Sequence, residues 1–184
     1  QRIASSLYAE ALELDPDFPL ASARKSTVDG RIFRTGESAD RWNPDQAERA
    51  RRAAEAAMRL RPGMPGAHLA VGYYLYHVHT DYAGALQAFE TALRELPNDA
   101  EAHEALADAY RRLGRWDDAV TELRRAMQLD PRNPERPRNL ADTYRQMRRF
   151  PEAIQAYDRA IEPAPDLMSH RETRARAIVS WRGT

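Results

Sequence analysis

Cysteine is absent from the 184 residues of this chain. Its absence removes disulfides, a thiolate nucleophile and any Cys-ligated zinc or iron–sulfur centre, and leaves the redox compartment open. Net charge is missing too, with 28 basic side chains against 28 acidic ones. That balance argues against holding nucleic acid or an anionic membrane by bulk electrostatics. No run of about 18 apolar residues exists to span a bilayer. The opening Gln1-Arg2-Ile3-Ala4 has neither an initiator Met nor an apolar signal core. Lysine is nearly absent, since Arg supplies 27 of the 28 basic residues and Lys25 is the exception. Val, Ile and Thr are scarce, whereas 32 residues are Ala. Ala and Arg are strong helix formers, so composition predicts an all-α chain, either one domain or a repeat array.

A repeat is present. Tyr82, Trp116 and Phe150 lie 34 residues apart, and each is followed three residues later by Ala85, Ala119 and Ala153. The same period carries Phe89, Leu123 and Tyr157, then Ala92, Ala126 and Ala160, then Pro97, Pro131 and Pro165. Ala119, Leu123 and Ala126 stand at i, i+4 and i+7, one face of a helix. A second amphipathic stretch precedes it, with Leu106, Ala107 and Tyr110 matching Leu140, Ala141 and Tyr144. Each unit therefore reads as two short helices with a turn near Gly114. Proline closes the unit, because it lacks an amide donor and disfavours helix in the residue before it. The alanines let two helix axes approach closely, and the aromatic or Leu fills the gap between them.

These columns resemble a tetratricopeptide repeat, whose pattern is W-x2-L-G-x2-Y, then A-x3-F-x2-A, then P. In Ala100–Asn133 the matching residues are His103, Leu106, Ala107, Tyr110, Ala119, Leu123, Ala126 and Pro131. His replaces the leading Trp there, and Ala the small glycine. Residues 134–167 match with Pro137 in the leading place, and residues 65–99 match through Val71, Gly72 and Leu75 with one extra residue between the helices. Toward the N-terminus the pattern weakens. Residues 19–64 form a divergent repeat with an insertion near 35–43 that includes Thr35-Gly36-Glu37-Ser38 and Trp42. Its first helix is expected over about Pro19 to Arg34, with Lys25 in a column that normally holds Leu. Its second is expected to start at Asn43 as cap and Pro44 at the first helical position. Residues 1–18 read as a lone second helix and 168–184 as a lone first helix. Less the insertions, the length is close to five periods of 34, and Gln1 and Thr184 share one phase. The chain is thus expected to be a window cut from a longer array.

The resemblance implies an all-α, right-handed α-solenoid of antiparallel helix pairs, about ten helices in a single array, acting as a protein-interaction scaffold. It further implies a peptide or protein segment bound on a concave face lined by first helices. Transferred column by column, the contact residues are Leu69, Tyr73, Tyr76 and His77 in one repeat. The next offers Glu101, Glu104, Asp108, Arg111 and Arg112, the one after offers Glu135, Arg138, Asp142, Arg145 and Gln146, and the last half-repeat offers Ser169, Glu172, Arg176 and Ser180. Tyr73 and Tyr76 are expected as exposed aromatics on that wall. Asp108–Arg111 and Asp142–Arg145 are i, i+3 pairs able to neutralise one another, and Arg138 is placed to reach Glu104 on the neighbouring helix. The family's carboxylate clamp for chaperone tails needs Lys and Asn where this chain has Leu69 and Tyr73, so such tails are not expected partners.

Other function classes find less support. There is no P-loop, no G-x-G-x-x-G and no H-E-x-x-H, so neither catalysis nor a cofactor is expected. His77 and His79, two residues apart on a helix, point to different faces and make a poor metal site. His68 and His103 occupy the Trp column and are expected to pack between helices. Residues 124–184 carry 13 Arg against 8 acidic residues, an excess scattered over both helices of each unit. Nucleic-acid binding through this end is a minor alternative, and self-association or a spacer role is another. The G-Y-Y-L-Y-H-V-H-T-D-Y run is similar to tetratricopeptide regions of large bacterial signalling proteins, which implies a cytoplasmic, multidomain parent.

Overall fold

The computed structural model describes residues 1–36, 42–162 and 168–182. Glu37, Ser38 and Pro165, which belong to the insertion and to the proline column, lie outside the described residues. Among the described residues there is no strand. The helices are α1 (Arg2–Leu14), α2 (Pro19–Thr35), α3 (Pro44–Leu60), α4 (Pro65–Tyr74), α5 (Tyr82–Glu95), α6 (Ala100–Arg112), α7 (Trp116–Leu129), α8 (Glu135–Gln146), α9 (Phe150–Ile161) and α10 (Met168–Arg182). They fall into two compact units, Gln1–Pro97 and Asn98–Thr184. In the first, α2 pairs with α3 and α4 with α5, and α2 also packs on α4. In the second, α6 pairs with α7 and α8 with α9, and α10 packs on α9.

Helix starts follow local chemistry. Proline occupies the opening positions of α2, α3 and α4, where its missing amide proton costs nothing. Asn43, Asp81 and Asp99 accept hydrogen bonds from the amides of Asp45 (3.0 Å), Gly84 (2.9 Å) and Ala102 (2.8 Å). Each thereby satisfies a donor that the first turn cannot. The alanine columns are the interior. Ala23, Ala54, Ala57, Ala67 and Ala70 form one buried cluster in the first unit, flanked by Met58, Met64, Val71 and Tyr74. In the second unit Ala119, Leu123 and Ala126 have no exposed surface.

The turns between paired helices repeat as well. Thr80, Gly114 and Arg148, 34 residues apart, all take the left-handed conformation, with φ of 56°, 74° and 60°. Beyond each, an amide reaches back to the first helix: Arg115 to the Tyr110 carbonyl (2.9 Å) and Arg149 to that of Tyr144 (2.8 Å). The corresponding Asp81 amide bonds the Leu75 carbonyl at 3.1 Å, one residue further back along the chain. The extra residue of this repeat is taken up by a five-residue π-helical turn, Leu75–His79, at the end of α4. A wider turn absorbs one residue without breaking the helix pair.

Lys25 does not break α2. Its ammonium lies 2.7 Å from the Asp29 carboxylate, which is fully buried. Asp29 also accepts from Ser5 Oγ (2.5 Å) and Gln46 Nε2 (2.8 Å), so α1, α2 and α3 share one polar node. Trp42 is half exposed and has φ 63°. Its ring meets Phe33 edge-on at 5.2 Å, and the Arg34 guanidinium stands 5.4 Å from it.

Gly72 holds the small-residue column of its repeat beneath Phe89. A Cβ at this position would come within 2.3 Å of the Phe89 ring, and that ring is fully buried and packed edge-on to Tyr73. Gly72→Ala should destabilise the first unit by about 1–3 kcal/mol through overpacking. Adding Phe89→Leu, which reproduces the Ala107 and Leu123 combination of the next repeat, should return part of that loss. A double-mutant cycle in urea tests this, and simple additivity of the two changes would contradict it.

Candidate functional site

The first helix of the 65–99 repeat does not present its aromatic residues outward. Leu69, Tyr73, Tyr76 and His77 are all buried, none more than 9 % exposed. Tyr73 contacts Phe89 at 5.1 Å and stacks on His77 at 5.8 Å, while Tyr76 meets Tyr82 at 5.3 Å. The expected exposed aromatic wall is therefore interior. The reason is α2, a 17-residue helix that lies against α4 and covers these columns. Gly30 on α2 lies at this contact: a Cβ there would sit 3.6 Å from His77 Cβ and 3.7 Å from the Tyr73 carbonyl oxygen, ordinary van der Waals distances.

In the second unit the same columns remain accessible. Helix α6 buries Ala102, His103, Ala105, Leu106, Ala109 and Tyr110, which leaves Glu101, Glu104 and Asp108 half-buried and Arg112 exposed. Helix α8 buries Leu140, Ala141, Thr143 and Tyr144, leaving Arg138 and Asp142 half-buried and Arg145 exposed. His103 packs between helices as its column implies, and its Nδ1 is 2.6 Å from a Glu122 carboxylate oxygen on α7.

Charge pairing orders this row. Arg111 bonds Asp108 within α6 and reaches Thr143 Oγ1 on α8 at 3.5 Å. Asp142 lies 3.8 Å from Arg145. The expected bridge from Arg138 to Glu104 is not formed. Arg138 pairs along its own helix instead, with Glu135 at 2.7 Å and Asp142 at 2.8 Å. Glu104 is held by Arg136 at 2.6 Å and by the Asn139 amide. Tyr157 donates to Asp142 from below at 2.6 Å. Burial, and then that hydrogen bond to a carboxylate, push the Tyr157 phenol well above its ordinary pKa.

Arg136 is the residue that the column transfer missed. It occupies the place of Ala102 one period earlier, an interior column, yet its side chain is only 10 % exposed. The guanidinium donates to Glu104, to Asp130 at 3.1 Å and to the Ala100 carbonyl at 3.2 Å. It thus ties the start of α8 to α6 and to the end of α7. An Arg where the period calls for Ala was the available signal. Arg136→Ala takes from Glu104 its guanidinium partner, and it should cost about 2–3 kcal/mol of stability. Arg145→Ala, on the exposed rim of the same row, should stay within about 0.5 kcal/mol. Thermal unfolding of the two variants decides it, and equal melting temperatures would remove Arg136 from this structural role.

Among the described residues no group of three His, Asp or Glu side chains is placed to hold a metal ion, and no helix is long and apolar enough to cross a membrane.

Comparison with known proteins bears on this geometry. Two tetratricopeptide-repeat family models match, one over residues 78–134 and the other over 114–177. Together they span more than half of the chain. No curated protein sequence matches it. Among solved structures, the fold is similar to a thermophilic tetratricopeptide protein of Thermus thermophilus, at 22% identity, with 95% of this chain and 89% of that chain covered and a TM-score of 0.78. It is also similar to YrrB, described as a tetratricopeptide protein with an unusual peptide-binding site, at 21% identity, 93% and 81% coverage and a TM-score of 0.63. With the 34-residue columns, the paired helices and the two family matches in agreement, this chain belongs to the tetratricopeptide-repeat family, whose helical arrays serve as protein–protein interaction scaffolds.

Proposed function

We propose that the chain is a non-catalytic scaffold that binds a peptide segment along the first-helix face of its second unit. The contact residues would be Glu104, Asp108, Arg111 and Arg112 on α6 and Arg138, Asp142 and Arg145 on α8. One observation carries the reading: these columns hold charged, largely half-exposed side chains already fixed by bonds within the row, such as Arg138–Asp142 at 2.8 Å. A surface ordered before binding loses less side-chain entropy when a ligand arrives. Its paired charges suit a segment carrying charges of both signs, which can exchange partners with the row. Leu69, Tyr73, Tyr76 and His77 then act through the packing of the first unit rather than as contacts.

A random peptide library displayed against the intact chain provides the test. Sequences of mixed charge should be enriched, and the Arg111→Glu/Arg138→Glu double variant should lose that enrichment at least about tenfold while keeping its melting temperature. Equal enrichment by both proteins would remove the row from binding.

Self-association is a second reading, and α1 supplies its observation. Ile3, Leu7 and Leu14 are 78%, 57% and 89% exposed, and their spacing puts them on one helix face. A second copy covering that face should give a concentration-dependent dimer in sedimentation velocity, abolished by Ile3→Glu/Leu7→Glu. A monomer at every concentration would set this reading aside.

A further inference from the structure

A trench on the second-helix side of the second unit shares none of the residues of the first-helix row. It runs between α7 and α9 with α8 as its floor. Its main cavity has a volume of about 470 Å³. A neighbouring cavity of about 400 Å³ adjoins it, sharing Met127 and Arg159 and walled by Pro131 and Pro137. The two cavities make an elongated site, the shape an extended chain needs rather than a compact ligand. The nearly buried Leu140, Tyr144 and Ala156 line it, with half-buried Met127 beside them.

The charges on its rim are not balanced. Arg124 and Arg159 are both exposed and both line the cavity. Arg124 donates to the Tyr144 hydroxyl at 2.8 Å, a neutral partner. Neither guanidinium forms an ion pair with a carboxylate among the described residues. The acids of the trench are differently placed. Glu152 is neutralised by Arg149 at 2.7 Å, which holds its carboxyl below the usual range. Asp130 lies 3.1 Å from Arg136, a guanidinium it shares with Glu104. Glu162 remains as an acid at the far end of the second cavity. The trench is therefore cationic in the first cavity, where Arg124 and Arg159 flank the apolar floor, and more acidic in the second, which Asp130 and Glu162 line.

We propose that this trench is a second peptide site, for an acidic segment in which one apolar side chain is flanked by Asp or Glu. The apolar side chain fills the space over Leu140 and Ala156. Carboxylates on either side of it meet Arg124 and Arg159, whose planar donor forks match them. Glu162 disfavours a further acid at the end near Pro131, and so sets the direction in which the segment lies.

The test uses the full chain and two short fluorescein-labelled peptides, one with a Leu between pairs of Glu and one with the same Leu between pairs of Lys. Anisotropy titrations should show saturable binding of the Glu peptide, weakened by salt. Binding of the Lys peptide should be at least about tenfold weaker. Arg124→Glu/Arg159→Glu should abolish the preference, and Arg124→Gln/Arg159→Gln, which keeps hydrogen-bonding amides, should weaken it severalfold. Arg111→Glu/Arg138→Glu should leave it unchanged, which separates this site from the first-helix row. Equal affinity for the two peptides, no saturable binding, or a loss caused only by the first-helix variant would overturn the proposal. The glutamine pair answers the question even if the charge-reversed pair fails to fold.

Discussion

Helices of 10–17 residues, the length of every helix here, are marginal in water on their own and draw their stability from the faces they bury. In this chain those faces are built on alanine. Ala50, Ala57, Ala70, Ala105, Ala126 and Ala160 have no exposed surface at all. A methyl group is small enough to bring two helix axes close together, and it loses no rotamer freedom when buried. Larger side chains are then needed only at intervals, and Phe89, Leu123 and Tyr157 take that place in successive repeats, each fully buried. Everything else in the molecule is constrained by this spacing, because a helix pair that cannot close cannot present its outer columns in register.

The same constraint shows where irregularity is permitted. An added residue in the 65–99 repeat does not shift the alanines; a π turn at Leu75–His79 takes it up before the chain enters α5. The left-handed position of the turn holds Thr80 and Arg148 as well as Gly114; the two residues with a Cβ carry a backbone cost that glycine lacks, and the return bond to the first helix offsets part of it. Lys25 in an apolar column is likewise accommodated by the partners gathered around Asp29, because a buried charge is tolerated when it is paired and hydrogen-bonded. Local exceptions are absorbed at turns and by polar nodes, and the packing columns stay intact.

Charge follows a different logic on the two sides of the second unit. Along α6 and α8, acids and arginines alternate closely enough to satisfy one another, so the surface is ordered and near neutral. Between α7 and α9, Arg124 and Arg159 form no ion pair with a carboxylate among the described residues. Net neutrality over the whole sequence thus conceals two local surfaces of unlike charge pairing, one whose charges are largely paired and one where these two arginines have no carboxylate partner among the described residues.

Helix content, the 34-residue columns, the α2 boundaries to within a residue or so, and the Asn43 cap were legible from the chain itself. Each depends on neighbours within about one turn of helix or on a repeated period. The burial of Tyr73 and Tyr76 was not legible, nor was the choice of Arg136 over Arg138 as the partner of Glu104. A periodic column identifies which face of a helix a residue occupies, but not which other helix covers that face. Here α2 lies against α4 and turns two tyrosines into core. A long Arg side chain has several carboxylates within reach, and only the placement of three helices around it selects one. Sequence determined the repeat because helix periodicity is a local property; tertiary structure decided which columns stayed accessible, because burial depends on residues far apart in the chain.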